Sequence, residues 1–357
     1  VEPWWRTTGL GSHELSDRNL QLTHGFDDTR NTYGNHYMAT AYFSRGSGPV
    51  EKNAGLDSVS LARPQLPYIL GDARYLPGDA SLIKQTILDF GPVYTMLYFK
   101  RNAVDTLHHI LLGPDNPRDL INHAVVLVGW NDTLKTAMGE GVWIAQNSLG
   151  MKFGDSGFFY VPYENEDILK HNAVWNSWDP FGEQQRLLYY DTLGSFESYG
   201  FNDSICYGMT KFSAEDDCRI LRISSHINNP GTYLQFELYT GFDTTSKTLS
   251  GRIGQTEEMY CVFPGYYTLD LEKEVKLQGN SEFYVSARYV APYSTQPLPV
   301  ENSIKDYSDP HLTEGVNWVN PNMERWPDAW YPCGRNTPYP ALEFDLCIRV
   351  VIEIEKK

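Results

Sequence analysis

Regular alternation of apolar and polar residues runs through the second half of this chain. It covers residues 234–238, 267–271 and 283–289. Because successive side chains of a strand point to opposite faces, this period of two predicts strands with one buried and one solvated face. Turn residues separate these stretches at regular intervals. The sequence therefore predicts an antiparallel β-sandwich that ends in a strand near residues 344–354.

The first half of the chain instead mixes helices and strands. Helices are predicted at 36–43 and 80–90, where Asp79 caps the second helix and Gly91 with Pro92 ends it. Stretches rich in β-branched and aromatic residues predict strands at 93–99, 124–130, 141–145 and 157–161. This half therefore has the α+β pattern.

The composition changes near residues 175–190, which suggests that the two halves of the chain meet there. The stretch is polar, contains Pro and Gly, and is typical of a linker. At 357 residues the chain is long enough for two domains. We therefore predict one domain over residues 1–178 and a second over 179–357.

Composition excludes several classes of function. The net charge is −16, from 45 acidic and 29 basic residues, which argues against nucleic acid or an anionic membrane as a partner. No apolar run approaches the ~18 residues that span a bilayer. The adjacent His108 and His109 diverge on a strand and have no Cys or acidic cluster around them, so neither a metal nor another cofactor is expected.

Two polar side chains stand at the ends of apolar strands. His123 precedes the run 124–128, and Asn147 follows the strand at 141–145 in a Gly-rich turn. An Asn oxygen can accept the imidazole N–H and leave the other ring nitrogen for the proton of a thiol. Each residue alone is usually structural. In this order and in these contexts, the pair predicts the His–Asn half of a Cys-His-Asn triad.

These motifs resemble those of the papain-like cysteine peptidases. Residues 15–20 and 82–93 are also similar to segments of that family. The resemblance implies a two-lobe fold that hydrolyses peptide bonds in a peptide or protein substrate. In such a fold His123 would carry the proton and Asn147 would orient the imidazole.

The resemblance also implies a substrate cleft. Gly34 matches the second glycine of the family's Gly-Gly turn, and Tyr33 replaces the first. We expect Gly34, Tyr33 and Asn122 to contact the substrate. In the family a Trp covers the Asn–His hydrogen bond, whereas this chain has Leu149 there and Phe153 in place of a second Trp. Leu149 is therefore expected to shield the pair less well.

The second half is similar to the lectin-like β-domain that follows certain secreted bacterial and archaeal papain-like peptidases. The similarity lies in residues 187–191, in the alternating strands and in 347–350. It implies an extracellular or cell-surface location. A glycan or cell-wall ligand is one partner that it suggests, with the Trp-rich stretch 318–330 as a candidate stacking surface or, equally, as packing.

The expected nucleophile is not in the printed sequence. In the family it lies about 130 to 150 residues before the His, which places it about 8–10 residues before Val1. All five cysteines, Cys206, Cys218, Cys261, Cys333 and Cys347, follow His123 instead. One alternative is that these cysteines are buried thiols or form structural bridges, with Cys333 paired to Cys347 as one such bridge. Another is that an odd cysteine joins a separate N-terminal peptide that carries the nucleophile.

Two further interpretations stay open. One of the five cysteines could substitute as the nucleophile, which would require a rearranged order of the triad. Alternatively, the chain could be an inactive papain-fold surface protein used for binding or assembly, as the absent Cys, Tyr33 and Leu149 suggest.

Overall fold

The structure is a computed structural model that describes residues 13–27, 34–113 and 121–355. The chain forms two compact units. In described residues, the first unit holds 13–14, 34–36, 74–113 and 121–176, and the second holds 15–27, 37–73 and 177–355. Residues from the beginning of the chain thus belong to the same unit as its C-terminal half. The boundary between residues 178 and 179 stays a prediction.

Three short α-helices occur in the described residues. They are α1 (Asp17–Thr23), α2 (His36–Ser44) and α3 (Ala80–Phe90). The predicted cap is confirmed, since Asp79 Oδ1 accepts the Leu82 N–H at 2.8 Å. Gly91 ends α3 with a φ of 91°, which Gly adopts without strain. Ile83 is fully buried, but Phe90 is 44% exposed. None of these helices is long and apolar enough to cross a membrane.

The strands of the first unit form an antiparallel sheet in the order β5–β4–β3–β2–β6. The strands of this part of the chain are β1 (Tyr68–Leu76), β2 (Val93–Leu97), β3 (His123–Thr136), β4 (Gly139–Gln146), β5 (Phe158–Pro162) and β6 (Asn172–Pro180). All four strands predicted here are confirmed, with β3 longer than expected. The β2–β3 register sets Leu97 opposite His123.

The linker predicted over residues 175–190 is wrong. Strand β6 continues to Pro180, and strand β7 (Gln185–Leu188) follows after four residues. Trp175 and Trp178 of β6 are only 8% and 6% exposed. Burial of these two large rings outweighs the turn preference of the polar residues between and after them. The β1 and β6 strands contribute residues to both units.

The strands of the second unit form the predicted antiparallel sandwich. They are β8 (Glu197–Tyr199), β9 (Ile205–Ala214), β10 (Cys218–Ile227), β11 (Thr232–Asp243), β12 (Thr248–Gln255), β13 (Met259–Cys261), β14 (Gly265–Leu277), β15 (Ser281–Val290), β16 (Leu298–Glu301), β17 (Asn317–Asn320), β18 (Tyr331–Cys333), β19 (Asp345–Leu346) and β20 (Ile348–Ile354). One layer has the order β12–β11–β15–β9–β17–β18, and the other contains β14–β10–β20–β7.

One apolar core joins the two layers of this sandwich. Phe236 of β11 and Phe283 of β15 share a single buried cluster with Ile223 of β10 and Val350 of β20. All four side chains are 0% exposed, which confirms the alternation seen in the sequence.

A fully buried ion pair lies within the second unit. Arg349 of β20 donates to the Asp191 carboxylate, with the shortest contact 2.6 Å from Nη2 to Oδ2, and both side chains are 0% exposed. Its Nη1 donates to Ser44 Oγ, at the end of α2, at 2.5 Å. The rings of Tyr189 and Tyr266 lie 5.4 and 5.7 Å from the guanidinium carbon. Three distant parts of the chain therefore meet at one guanidinium.

Substituting Arg349 by Met is expected to destabilise the protein by about 3–5 kcal/mol, because the Asp191 charge would stay buried without its partner. Urea unfolding measures the change. Arg219→Met is the matched control: Arg219 pairs with Glu353 on the surface, so its loss is expected to move the midpoint little. Equal midpoint shifts in the two variants would contradict the assigned role.

Candidate active site

Adjacent strands bring His123 and Asn147 together at one end of the sheet. His123 is the first residue of β3, and Asn147 directly follows the last residue of β4. The Asn147 backbone N–H donates to the Gly157 carbonyl at 3.0 Å, which fixes the start of the Gly-rich turn. As a result, His123 Nε2 lies 3.2 Å from Asn147 Oδ1.

The orientation of the Asn147 amide decides which imidazole nitrogen holds the proton. Asn147 Oδ1 also accepts the backbone N–H of Leu149 at 3.3 Å, so the oxygen is the atom that faces the ring. An oxygen can only accept, and Nε2 must therefore carry the hydrogen. The Nδ1 atom of neutral His123 is left with a lone pair that can take a proton.

Phe99 packs against the His123 ring and was missed by the sequence analysis. The two ring centroids lie 4.9 Å apart with an interplanar angle of 36°. Phe153 and Phe159 contact Phe99 edge-on at 5.9 and 5.7 Å. Phe99 lies two residues beyond Leu97, and Leu97 pairs with His123. Predicting the contact between Phe99 and His123 therefore requires knowledge of the β2–β3 register.

Asn122 holds the backbone of Phe99 in place. Its Oδ1 accepts the Phe99 N–H at 2.7 Å, and its Nδ2 donates to the Phe99 carbonyl at 3.0 Å. Both ends of the amide are thus engaged with the segment that packs on His123. This geometry favours a positioning role for Asn122, and its contact with substrate stays a prediction.

The other predicted positions differ in their relation to this cluster. Gly34 is exposed, and a Cβ built on it would have no described atom within 4 Å. Tyr33 lies outside the described residues. Leu149 is 48% exposed, and thus covers the His–Asn hydrogen bond poorly. His108 pairs with Asp105 at 2.7 Å.

Burial sets the protonation state of His123. It lowers the pKa of the imidazole below 6.5, and the hydrogen bond that the ring donates to Asn147 offsets only part of this effect. The neutral ring is therefore the favoured form near neutral pH. Because protonation opposes folding here, the stability contributed by this group is lost as the pH falls below 6.5.

All five cysteines of the chain lie in the second unit and are buried. Burial raises the pKa of the thiols of Cys206, Cys218, Cys333 and Cys347, which disfavours the nucleophilic thiolate. The pairing of Cys333 with Cys347 is wrong, since both are free thiols. Cys333 packs in the apolar core of the sandwich, whereas the Cys347 thiol hydrogen-bonds the Asp191 carboxylate.

Known proteins match both parts of the chain. Residues 68–176 match the family model of papain family cysteine proteases, and residues 187–335 match that of a lectin-like domain. A cysteine protease of Blomia tropicalis is 31% identical over 102 residues, 28% of this chain and 29% of that protein. Cathepsin C of Schistosoma mansoni is 29% identical over 109 residues, which are 26% of this chain and 23% of that protein. The chain thus spans under a third of either relative.

Two solved structures match nearly the whole chain. One is the clostridial cysteine protease Cwp84 after propeptide cleavage, with a TM-score of 0.81 at 15% identity, covering 99% of this chain and 92% of that one. This chain has a papain-like fold followed by a lectin-like domain. The second solved structure comprises the protease and lectin-like domains of Cwp84 from Clostridium difficile. It has a TM-score of 0.79 at 15% identity and covers 99% of this chain and 82% of that one. The predicted fold class is confirmed.

The two contacts of the His123 ring are expected to shift its pKa in opposite directions. Phe99→Ala should raise the pKa towards 6.5 because it relieves burial, and Asn147→Ala should lower it because it removes the acceptor that stabilises the imidazolium. An NMR titration of the ring protons measures both. Phe90→Ala, at an exposed position of α3, is the control. Shifts of the same sign in both variants would contradict this account.

Proposed function

We propose that this chain supplies the His–Asn part of a papain-like cysteine endopeptidase. The observation that carries the proposal is the 3.2 Å contact from His123 Nε2 to Asn147 Oδ1, which leaves Nδ1 as a base. Residues 1–178 would form the peptidase part, and residues 179–357 the lectin-like part. The nucleophilic Cys would come from outside the 357 residues, because all five thiols present are buried.

The reaction follows from this arrangement. Nδ1 of His123 accepts the proton of the thiol, and the thiolate attacks the peptide carbonyl. The imidazolium then gives that proton to the leaving amine, which breaks the C–N bond and leaves an acyl-thioester. Water, activated by the same nitrogen, releases the acid and regenerates the thiol. Asn147 keeps the ring oriented throughout without adding a charge, and Gly34 offers accessible backbone to an extended peptide.

Substitutions at the pair should reduce peptidase activity by different amounts. His123→Ala is expected to lower kcat/KM for a fluorogenic peptide by at least about 10³-fold, because the proton carrier is lost. Asn147→Ala should cost about 10²-fold, since the base remains but is no longer held in place. His108→Ala is the matched control, because this exposed His should not affect turnover. Full activity of the His123 variant would overturn the assignment.

The origin of the nucleophile can be tested by labelling the active protein with a thiol-directed peptidyl epoxide. Peptide mass mapping is expected to find the label on a cysteine other than Cys206, Cys218, Cys261, Cys333 and Cys347. A label on one of these five would require the rearranged triad. A preparation with neither label nor peptidase activity would favour the inactive binding protein.

A second candidate function is glycan binding at the cell surface. Trp318 and Trp330 are buried in a cluster with Tyr284, so they cannot stack on a ligand. Another surface of the second unit is more suitable. Tyr260 and Tyr293 are 51% and 91% exposed.

These tyrosines form a continuous aromatic surface. The Tyr233 and Tyr260 rings lie 4.8 Å apart, and a Cβ on Gly231 would stand 3.3 Å from Tyr260 and 3.9 Å from Tyr293. Exposed flat rings of this kind suit the apolar faces of sugars. The proposed extracellular or surface location draws on Cwp84, which is described as a surface layer associated protein.

Tyr260→Ala and Tyr293→Ala are each expected to weaken binding to purified cell-wall glycan by about two- to tenfold, the range for loss of one aromatic contact. Pull-down with a concentration series measures the affinity. Tyr339→Ala is the control, because this tyrosine is 40% exposed but contacts Tyr331 instead. Trp326→Ala tests the one exposed Trp of the stretch 318–330. Unchanged binding in both tyrosine variants would contradict the proposed surface.

A further inference from the structure

A cavity of about 470 Å³ in the second unit is lined by one deeply buried cation. The cation is Arg45, which directly follows α2 and is 5% exposed. Ser60 also lines the cavity and is exposed on the surface. A cavity of this size holds a ligand as large as a monosaccharide. It lies apart from the proposed peptidase residues and does not depend on their chemistry.

Arg45 is bonded only to neutral acceptors. Its Nε donates to Ser47 Oγ, its Nη1 to the Thr192 carbonyl and its Nη2 to the Thr23 carbonyl, each at 2.8 Å. A guanidinium has five N–H groups, so one hydrogen on each of Nη1 and Nη2 is left over. No described carboxylate lies within ion-pair distance of Arg45. A buried cation without a counter-ion is costly, and a ligand anion would remove that cost.

The nearby described acidic groups form no ion pair with Arg45. Asp191 is engaged by Arg349, so this pair supplies no free negative charge to Arg45. Burial raises the pKa of Glu301 to about 8, so this carboxyl is largely protonated at neutral pH. Burial also lowers the pKa of Arg45 to about 10, which still leaves it charged. Arg45 therefore lines the cavity as a cation without a direct counter-ion, and Asp309 lies at the exposed rim.

A glycine lets the backbone lie close to the guanidinium. A Cβ on Gly25 would stand 3.0 Å from Leu193 Cδ2 and 3.9 Å from both Nη1 and Nη2. Gly25 also has a φ of 87°, a conformation that favours Gly. A larger residue at position 25 would therefore crowd the wall of the cavity beside Arg45.

We propose that this cavity binds the carboxylate of a small organic acid of about monosaccharide size. Two spare N–H groups match the two oxygens of a carboxylate, which would supply the ion-pair partner that Arg45 lacks. Asp309 lies at the exposed rim of the cavity and repels a phosphate dianion more strongly than a monocarboxylate.

Isothermal titration of the full chain with D-glucuronate, at fixed pH and ionic strength, tests the proposal. Saturable binding is expected with Kd on the order of 1 mM, a typical value for a single charged contact of a small ligand. D-glucose is the neutral control and should not bind measurably. Absence of saturable glucuronate binding, or phosphate binding as tight as that of glucuronate, would overturn the proposal.

Two variants locate the binding. Arg45→Met should abolish it, but this change also removes three structural hydrogen bonds and can prevent folding. Ser60→Glu avoids that problem, because it places a negative charge at the exposed rim and should weaken glucuronate at least tenfold. Arg63→Gln is the control, since this exposed Arg does not line the cavity. Unchanged affinity in Ser60→Glu would place any binding elsewhere.

Discussion

The buried pair of Arg349 and Asp191 is the interaction on which the second unit depends. Removing two charges from water costs several kcal/mol per ion, and the geometry here recovers that cost through four guanidinium–Asp191 contacts and the Ser44 hydroxyl. Such a pair tolerates no shift of register in β20, because a slip of one residue would turn Arg349 to the opposite face. The last strand, the segment after β7 and the end of α2 are therefore fixed together.

The candidate site illustrates how two opposing effects set the state of one ring. Packing against Phe99 and the surrounding sheet favours a neutral imidazole, whereas the Asn147 oxygen favours the charged one. Because Asn adds no charge of its own, burial prevails and the ring remains a base. A carboxylate in place of Asn147 would reverse that balance and hold the imidazole protonated before any thiol gave up its proton.

Local patterns in the sequence predicted those features that depend on neighbours along the chain. The cap at Asp79, the stop at Gly91 and the alternation at Phe236 and Phe283 all follow from residues within a few positions of each other. The sequence also predicted the strand ends at which His123 and Asn147 lie. By contrast, the role of Phe99 depends on the register between two strands, and that register is a property of the whole sheet.

Other errors had the same origin. The segment after Trp175 has the composition of a linker, and only packing of its tryptophans makes it a strand. For Trp330 the sequence left ligand stacking and packing equally open, because sequence alone does not distinguish an exposed indole from one enclosed by Tyr207 and Met209. The Arg349–Asp191 ion pair could not be predicted from the sequence either, since 158 residues separate its members.

The hydroxyl of Ser44 at the end of α2 has a wider meaning for how such a chain is assembled. A lectin-like region is commonly regarded as an independent domain that can be added to an enzyme or removed from it. Here a residue from the first 50 of the chain completes the coordination of a guanidinium supplied 305 positions later. The early helical segment and the C-terminal sandwich therefore depend on each other, because a replacement helix without a hydroxyl at position 44 would leave an N–H of Arg349 without its acceptor in the interior.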